Sequence, residues 1–154
     1  TFAAPDVGST NRVREIASYF SADMVICDKH RKRANEIASM VVIGDVADRD
    51  IVLIDDICDT GGTLAKAAGL LKAKGARSVR ALCTHPILSG NAYENIENSV
   101  LEELIVCDTI PMKKESPKIK VISVADLLAI AIRNAYENKS ITSLFIHSQL
   151  RGKR

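Results

Sequence analysis

The sequence predicts an α/β fold in which a mostly parallel sheet carries helices on both faces. Seven short apolar runs, rich in valine and isoleucine, indicate buried strands because they do not alternate with polar residues. These runs cover residues 2–4, 24–27, 40–43, 51–54, 79–83, 104–107 and 119–122. Helical segments lie between several of them, and this alternation is typical of parallel sheets with right-handed crossovers.

Three segments have the apolar spacing of helices, with residues three or four positions apart on one face. The first begins near Val13 and ends near Phe20, and the second runs from Leu64 to Leu71, with Gly75 placed to end it. The third follows Ser123, a good N-cap residue. Its apolar stripe consists of Val124, Leu127, Leu128, Ala131, Ile132 and Ala135.

Length and composition limit the classes of protein. The 154 residues, 47% hydrophobic and 26% charged, suit one domain spanning residues 1–154. The apolar runs are far shorter than the roughly 20 residues that span a bilayer, and no charged-then-apolar leader opens the chain. We therefore expect a soluble protein with no membrane partner.

The cysteines and the net charge indicate where the protein works and what it binds. The four cysteines have no CxxC spacing, which favours a reducing, cytoplasmic location. A net charge of +2 is too small to indicate nucleic acid. Residues 28–36, "DKHRKRANE", concentrate basic groups without interleaved aromatics, so a solvated loop is favoured over a nucleic-acid surface.

The stretch "IVLIDDICDTGGT", residues 51–63, carries the clearest chemical signal. A buried strand runs into Asp55 and Asp56, and ligands of parallel sheets bind outside the carboxyl ends of the strands. Residues 59–63 then combine glycines, which let the backbone approach a ligand closely, with amide and hydroxyl donors at the start of a helix. This pattern indicates a cradle for a phosphate monoester, since the lysine of a nucleotide P-loop is missing.

The two acids would then face the remainder of the ligand. Carboxylates at that position can accept hydrogen bonds from sugar hydroxyls or help to hold a hydrated Mg²⁺. The simpler alternative is an ordinary helix N-terminus after a strand, with Asp55 and Asp56 solvated. The adjacent acids weaken that alternative, because two repelling carboxylates at a buried strand end call for a partner.

These residues also resemble a known family. "IVLIDDICDTGGT" is similar to the phosphoribosyl-diphosphate (PRPP) loop of the type I phosphoribosyltransferase fold. The segments "APDVGS", "DKHRKRAN", "IGDVADRD", "THPILSGNA", "VCDTIP" and "SITSLF" resemble, in that order, ribose-phosphate pyrophosphokinase, also called PRPP synthetase. The resemblance extends over nearly the whole chain.

The resemblance implies transfer of a diphosphoryl group from ATP to the anomeric hydroxyl of ribose 5-phosphate, with Mg²⁺ as cofactor and PRPP as product. It assigns Lys29 and Arg31 to a flexible catalytic loop, with Arg31 also at ribose 5-phosphate, and Asp6 to the metal. Its ribose 5-phosphate site consists of Asp55 and Asp56 at the ribose hydroxyls and Asp59, Thr60, Gly61, Gly62 and Thr63 at the phosphate.

One residue and one region depart from the family pattern. Ser9 stands where the family often has a second glycine, which makes the backbone near Asp6 less certain. The family enzyme also has a preceding domain that supplies most of the ATP site, and this sequence has no counterpart to it. We therefore expect the C-terminal part of a longer enzyme, inactive by itself.

Two other functions and an oligomer remain as expectations. A non-catalytic, synthetase-associated regulatory subunit would share these segments, and a stand-alone phosphoribosyltransferase would share the loop, although no segment is left over for its base-binding hood. The family forms homo-oligomers, hexamers among them. "SITSLF", residues 140–145, resembles a family segment at a nucleotide regulatory site between subunits, while a packed C-terminal segment is the simpler interpretation.

Overall fold

A computed structural model describes residues 1–30 and 39–145 of the chain. Its strands are β1 (Phe2–Ala4), β2 (Met24–His30), β3 (Ser39–Ile43), β4 (Asp50–Cys58), β5 (Ser78–Pro86), β6 (Leu104–Cys107) and β7 (Ile119–Ile122). Its helices are α1 (Thr10–Phe20), α2 (Gly62–Ala73), α3 (Ala92–Glu97) and α4 (Ala125–Tyr136), followed by a 3₁₀ turn over Thr142–Leu144. All seven predicted strands and all three predicted helices are present, and α3 is an addition.

The strands form one sheet in the order β3-β2-β1-β4-β5-β6-β7. Every neighbouring pair is parallel except β2 and β3, which run antiparallel. The sheet therefore confirms the predicted fold class. The antiparallel pair occurs where a short connection joins two consecutive strands, whereas the parallel pairs need longer crossovers.

The order of the strands reverses between β1 and β4. The chain leaves β1 through α1 toward β2 on one side, and it leaves β4 through α2 toward β5 on the other. Phe2 pairs with Met24 and also with Val52, so β1 lies at the centre of this reversal. In open parallel sheets the crevice at such a reversal is the usual ligand site.

Helices cover the two faces of the sheet unequally. Along β4, Ile51 and Leu53 pack in the core that contains α2 and α3, while Ile54 packs with Val13 of α1. Because successive strand residues point to opposite faces, α1 and α2 lie on opposite sides of the sheet. The prediction of helices on both faces is confirmed.

The long helix α4 differs from the expectation of an amphipathic helix packed on the sheet. None of its residues is buried, and Leu128 and Ile132 are 54% and 70% exposed. On the α1 side, an apolar groove stays open and is lined in part by Phe20, Leu82 and Ile122. The apolar stripe thus predicted the helix correctly, but within the described residues it is not buried against any other element.

The helix α4 begins one residue later than predicted, because its N-cap is Val124 rather than Ser123. Its first residue is Ala125, and the Ala125 N–H donates to the Ser123 hydroxyl at 3.2 Å. Asp108, directly after β6, also accepts a hydrogen bond from the N–H of Val124 at 2.9 Å. Among the described residues, no helix combines the length and the apolar character needed to cross a membrane.

The contrast between α2 and α4 gives a direct test of the packing. Leu71 of α2 is fully buried, so Leu71→Ala should lower the free energy of unfolding by about 2–5 kcal/mol. Leu128→Ala on the exposed stripe should change it by no more than about 0.5 kcal/mol. Urea unfolding followed by circular dichroism measures both. A large loss for Leu128→Ala would show that α4 is packed in solution.

Candidate functional site

The predicted ligand residues gather in one pocket of about 270 Å³ at the carboxyl ends of β1 and β4. The pocket lies where the strand order reverses. It is lined by Asp6, Asp55, Asp56, Ile57, Cys58, Asp59, Thr60, Gly61, Thr63 and Leu64. Gly62 is not among the lining residues and forms the first residue of α2. Asp55 and Asp56 lie inside β4, which continues to Cys58, rather than just beyond its end.

The N-terminus of α2 supplies backbone donors to this pocket. Gly61 is its N-cap, with φ 71°, and no side chain caps the helix. The first N–H groups of a helix have no intrahelical acceptor, and the helix dipole places partial positive charge there. A phosphate group bound at this end would satisfy those donors.

Gly61 is required by both backbone conformation and packing. Its φ of 71° lies in the left-handed region, and a Cβ there would come within 3.1 Å of Ile96 Cδ1 and 3.3 Å of the Ala92 carbonyl oxygen. At Gly62 the nearest atom would be Thr60 Oγ1 at an ordinary 3.7 Å. The two glycines therefore differ in backbone conformation and in packing, and of the two only Gly61 lies close to α3.

The acid pair is tied to α1 by an arginine that the sequence analysis missed. Arg12 Nη2 donates to Asp56 Oδ2 at 2.6 Å, and Arg12 Nη1 lies 3.9 Å from Asp55 Oδ1. The Asp56 N–H also donates to Asp55 Oδ1 at 3.0 Å. Arg12 lies in the first turn of the helix that follows Asp6, and that turn must lie at the carboxyl edge of the sheet. The position of Arg12 in that first turn could therefore have identified it from the sequence as a partner of the acid pair.

The two acids experience different environments. Burial raises the pKa of Asp55 to about 6, and the negative charges of Asp6 and Asp56 act in the same direction. Burial would also raise the pKa of Asp56, but the Arg12 charge and hydrogen bonds from Asp55 and the backbone outweigh it and lower that pKa. Asp56 is thus the more readily ionised member of the pair.

Asp6 is held by Ser9, the residue at which the sequence departs from the family pattern. The Ser9 N–H donates to Asp6 Oδ1 at 2.9 Å, and the Ser9 hydroxyl lies 3.1 Å from the same oxygen. Ser9 has an ordinary φ of −83°, so this position does not need glycine. The departure therefore leaves the loop intact and adds a hydrogen bond that orients Asp6.

The donor set matches weak, water-rich coordination of Mg²⁺ more closely than a closed metal cage. Asp6, Asp55 and Asp56 line adjoining parts of one crevice. No group of three or more His, Cys, Asp or Glu side chains positioned to hold a metal occurs within the described part of the chain. Mg²⁺ is commonly held by one or two carboxylates together with water and substrate oxygens, and these residues fit that pattern.

The predicted catalytic loop is only partly described. The backbone of Lys29 belongs to β2, next to the strand that leads to Asp6. Arg31 lies outside the described residues, as does most of the basic segment around it. The catalytic assignments of Lys29 and Arg31 stay predictions.

The fold and the pocket together define an α/β ligand-binding domain of the phosphoribosyltransferase type. Residues 12–146 match the family model described as the phosphoribosyl synthetase-associated domain. The structure is similar to phosphoribosylpyrophosphate synthetase from Mycobacterium smegmatis, with a TM-score of 0.82 and 34% identity over 89% of this chain and 45% of that one. An adenine phosphoribosyltransferase structure from Trypanosoma brucei, 19% identical with a TM-score of 0.53, shares the fold alone.

Curated relatives give the same result at higher identity. A ribose-phosphate pyrophosphokinase from Campylobacter jejuni is 53% identical over 143 residues, and one from Wolinella succinogenes is 54% identical over 144. These matches cover 93% and 94% of this chain but only 46% and 47% of the relatives. The chain belongs to the phosphoribosyl synthetase-associated domain family, and it spans about half the length of these relatives. The resemblance inferred from the sequence is confirmed.

Gly61 and Gly62 should respond differently to alanine. Gly61→Ala should lower the free energy of unfolding by about 1–2 kcal/mol, because alanine is disfavoured in the left-handed region and its methyl group meets Ile96. Gly62→Ala should leave it unchanged or raise it by up to about 1 kcal/mol. Urea unfolding compares the two variants. Equal losses would contradict the assigned conformation of Gly61.

Asp55 should make the chain less stable at high pH. The pKa of Asp55 is about 6 in the folded chain, against an ordinary value of 3.8. Between these pH values the folded state binds more protons than the unfolded state, so the free energy of unfolding rises as the pH falls. Asp55→Asn should therefore be more stable than wild type above pH 6, with the gain fading toward pH 4. Thermal unfolding without metal, at several pH values, measures this.

Asp50, at the other end of β4, is a control whose pKa is shifted in the opposite direction. Hydrogen bonds from Arg77 and Ser78 hold the pKa of Asp50 below its usual range. Its contribution is therefore present at neutral pH and lost as the pH falls through the folded pKa. Asp50→Asn should be less stable than wild type at neutral pH. Higher stability of Asp50→Asn, or lower stability of Asp55→Asn, at neutral pH would contradict the assigned pKa shifts.

Proposed function

We propose that this chain forms the ribose 5-phosphate-binding half of a ribose-phosphate pyrophosphokinase, which makes PRPP from ATP and ribose 5-phosphate. The observation that carries the proposal is the pocket at the strand-order reversal, where Asp55 and Asp56 line the same cavity as the loop that leads to the uncapped N-terminus of α2. This arrangement offers donors for a phosphate next to acceptors for sugar hydroxyls. The family membership and the identity to pyrophosphokinases over nearly the whole chain support the same conclusion.

The phosphate group would bind at residues 59–63. The backbone N–H groups at the start of α2 and the hydroxyls of Thr60 and Thr63 are its donors, and Gly61 permits close approach. Asp59 would act mainly on the loop itself, since its carboxylate accepts the Ser89 hydroxyl and its negative charge does not favour direct contact with phosphate. The ribose would then lie toward Asp55 and Asp56, whose oxygens accept hydroxyl hydrogens.

Charge balance explains why a cation and a basic loop belong to this reaction. Asp6, Asp55, Asp56 and Asp59 line the pocket, and Arg12 offsets part of their charge through Asp56. An anionic sugar phosphate and ATP add further negative charge. Asp6, together with water and substrate oxygens, would hold Mg²⁺, which when bound neutralises charge on the phosphate oxygens.

The proposed chemistry is displacement at the β-phosphorus of ATP. The anomeric oxygen of ribose 5-phosphate forms the new bond to that phosphorus, its proton is released, and the bond to the α-phosphate oxygen breaks, so AMP leaves. Positioning and charge stabilisation account for most catalysis of phosphoryl transfer. The pocket supplies the positioning of the ribose, while Lys29 and Arg31 would stabilise the negative charge that develops on the transferred group.

The location of the ATP site, the assembly and the compartment of the whole enzyme are also proposed. Because the relatives are about twice as long, the ATP site would lie mostly in a preceding domain. The whole enzyme would be a homo-oligomer, as the family resemblance implies. Residues 140–145 would contribute to a site between subunits. There the Ser140 hydroxyl donates to Thr142 Oγ1 at 3.0 Å, and Phe145 is 54% exposed. The four cysteines are free thiols, which supports the cytoplasm as the compartment.

Ligand preference tests the proposed site. Ribose 5-phosphate should bind this chain about 10- to 100-fold more tightly than ribose, because charge-assisted hydrogen bonds to the phosphate supply the difference. Calorimetric titration with Mg²⁺ present measures both ligands. Thr63→Val should weaken ribose 5-phosphate binding, whereas Thr142→Val, far along the chain, should not. Equal affinity for the two sugars would contradict a phosphate cradle at residues 59–63.

A further inference from the structure

We propose that Asn95 of α3 is a positioning residue for the phosphate loop, residues 59–63. Its side-chain amide holds the Thr60 carbonyl and thereby sets the orientation of the loop before ligand binds. The inference rests on the proposed function for the identity of the ligand. It adds a residue outside the loop on which affinity for the phosphate depends.

The contact that carries the inference joins residues far apart in the chain. Asn95 Nδ2 donates to the Thr60 carbonyl oxygen at 2.8 Å, across 35 positions. The neighbours of Asn95 on α3, Ala92 and Ile96, are fully buried, so the helix that carries the amide is anchored in the core. The donor is therefore presented from a fixed element rather than from a mobile surface loop.

Holding the Thr60 carbonyl also fixes the next amide. The Thr60 C=O and the Gly61 N–H belong to one planar trans peptide group and point in opposite directions. The orientation of this plane sets the left-handed φ of Gly61 and, through it, the directions of the following N–H groups of α2.

The segment before α3 holds the preceding loop residues. Leu88 N–H donates to the Cys58 carbonyl at 3.1 Å, and Ser89 N–H donates to the Asp59 carbonyl at 3.0 Å. The Ser89 hydroxyl donates to the Asp59 carboxylate. Asn95 continues this series of contacts by one residue, to Thr60. Residues 88–96 thus form a platform beneath the phosphate loop.

The side chain of Asn95 is exposed at one edge of the platform and is not part of the hydrophobic core. Its loss should therefore leave the fold largely intact. The effect should appear in binding instead, because a loop that must be ordered by the ligand binds it more weakly than one already in place.

Asn95→Ala tests the inference, with Asn98→Ala as the matched control. Asn98 is an exposed asparagine at the C-terminal end of the same helix. Asn95→Ala should weaken binding of ribose 5-phosphate by about 3- to 10-fold, the range expected for loss of one hydrogen bond. Binding of ribose, which lacks the phosphate, should not change. Asn98→Ala should match wild type with both ligands.

Amide exchange measured by NMR without ligand gives a second readout. The Ala65 amide, bonded to the Gly61 carbonyl at 3.0 Å, should exchange faster in Asn95→Ala than in wild type. Amides in the centre of the sheet should keep their wild-type rates. Asn98→Ala should leave all of these rates unchanged.

The outcomes separate this inference from the proposed function. If wild type fails to bind ribose 5-phosphate, the proposed function fails, and the exchange rates still decide whether Asn95 orders the loop. If wild type binds and Asn95→Ala matches it in affinity and exchange, the positioning role is overturned. Equal weakening of ribose binding, or a comparable loss in Asn98→Ala, would assign the effect to general destabilisation and would also overturn it.

Discussion

The site is built around a concentration of negative charge that the chain must balance in order to fold and to bind. Asp6, Asp55, Asp56 and Asp59 converge on one pocket because the two central strands end there. Arg12 neutralises part of this charge, burial raises the pKa of Asp55, and the N-terminus of α2 adds partial positive charge. The remaining imbalance is what a cation and a basic loop would relieve when an anionic ligand enters.

The parts of the fold that depend on local pattern could be predicted from the sequence. Apolar runs identified every strand in the described part of the chain, and the spacing in α1, α2 and α4 identified its long helices. The convergence of most of residues 55–63 on one pocket also agrees with local signals, namely adjacent acids near the end of a strand and two glycines at the start of a helix. The position of Gly75, with φ 94° just after α2, belongs to the same class of local signal.

Features that depend on tertiary contact were not accessible in this way. The antiparallel pairing of β3 and the six-residue helix α3 leave no clear periodicity in the sequence. Arg12 and Asn95 act across 44 and 35 positions, and such partners cannot be read from spacing. The apolar stripe of α4 predicted a helix correctly, but periodicity alone could not say whether that stripe would find a partner within the described residues.

The most direct test of the account is a crystal structure of this chain with ribose 5-phosphate and Mg²⁺. Phosphate oxygens should lie within about 2.7–3.2 Å of the backbone nitrogens of Gly62 and Thr63, with ribose hydroxyls directed at Asp55 and Asp56. Asn95 should keep its contact with Thr60. A phosphate bound away from the start of α2, or a ribose turned away from the acid pair, would contradict the central claim.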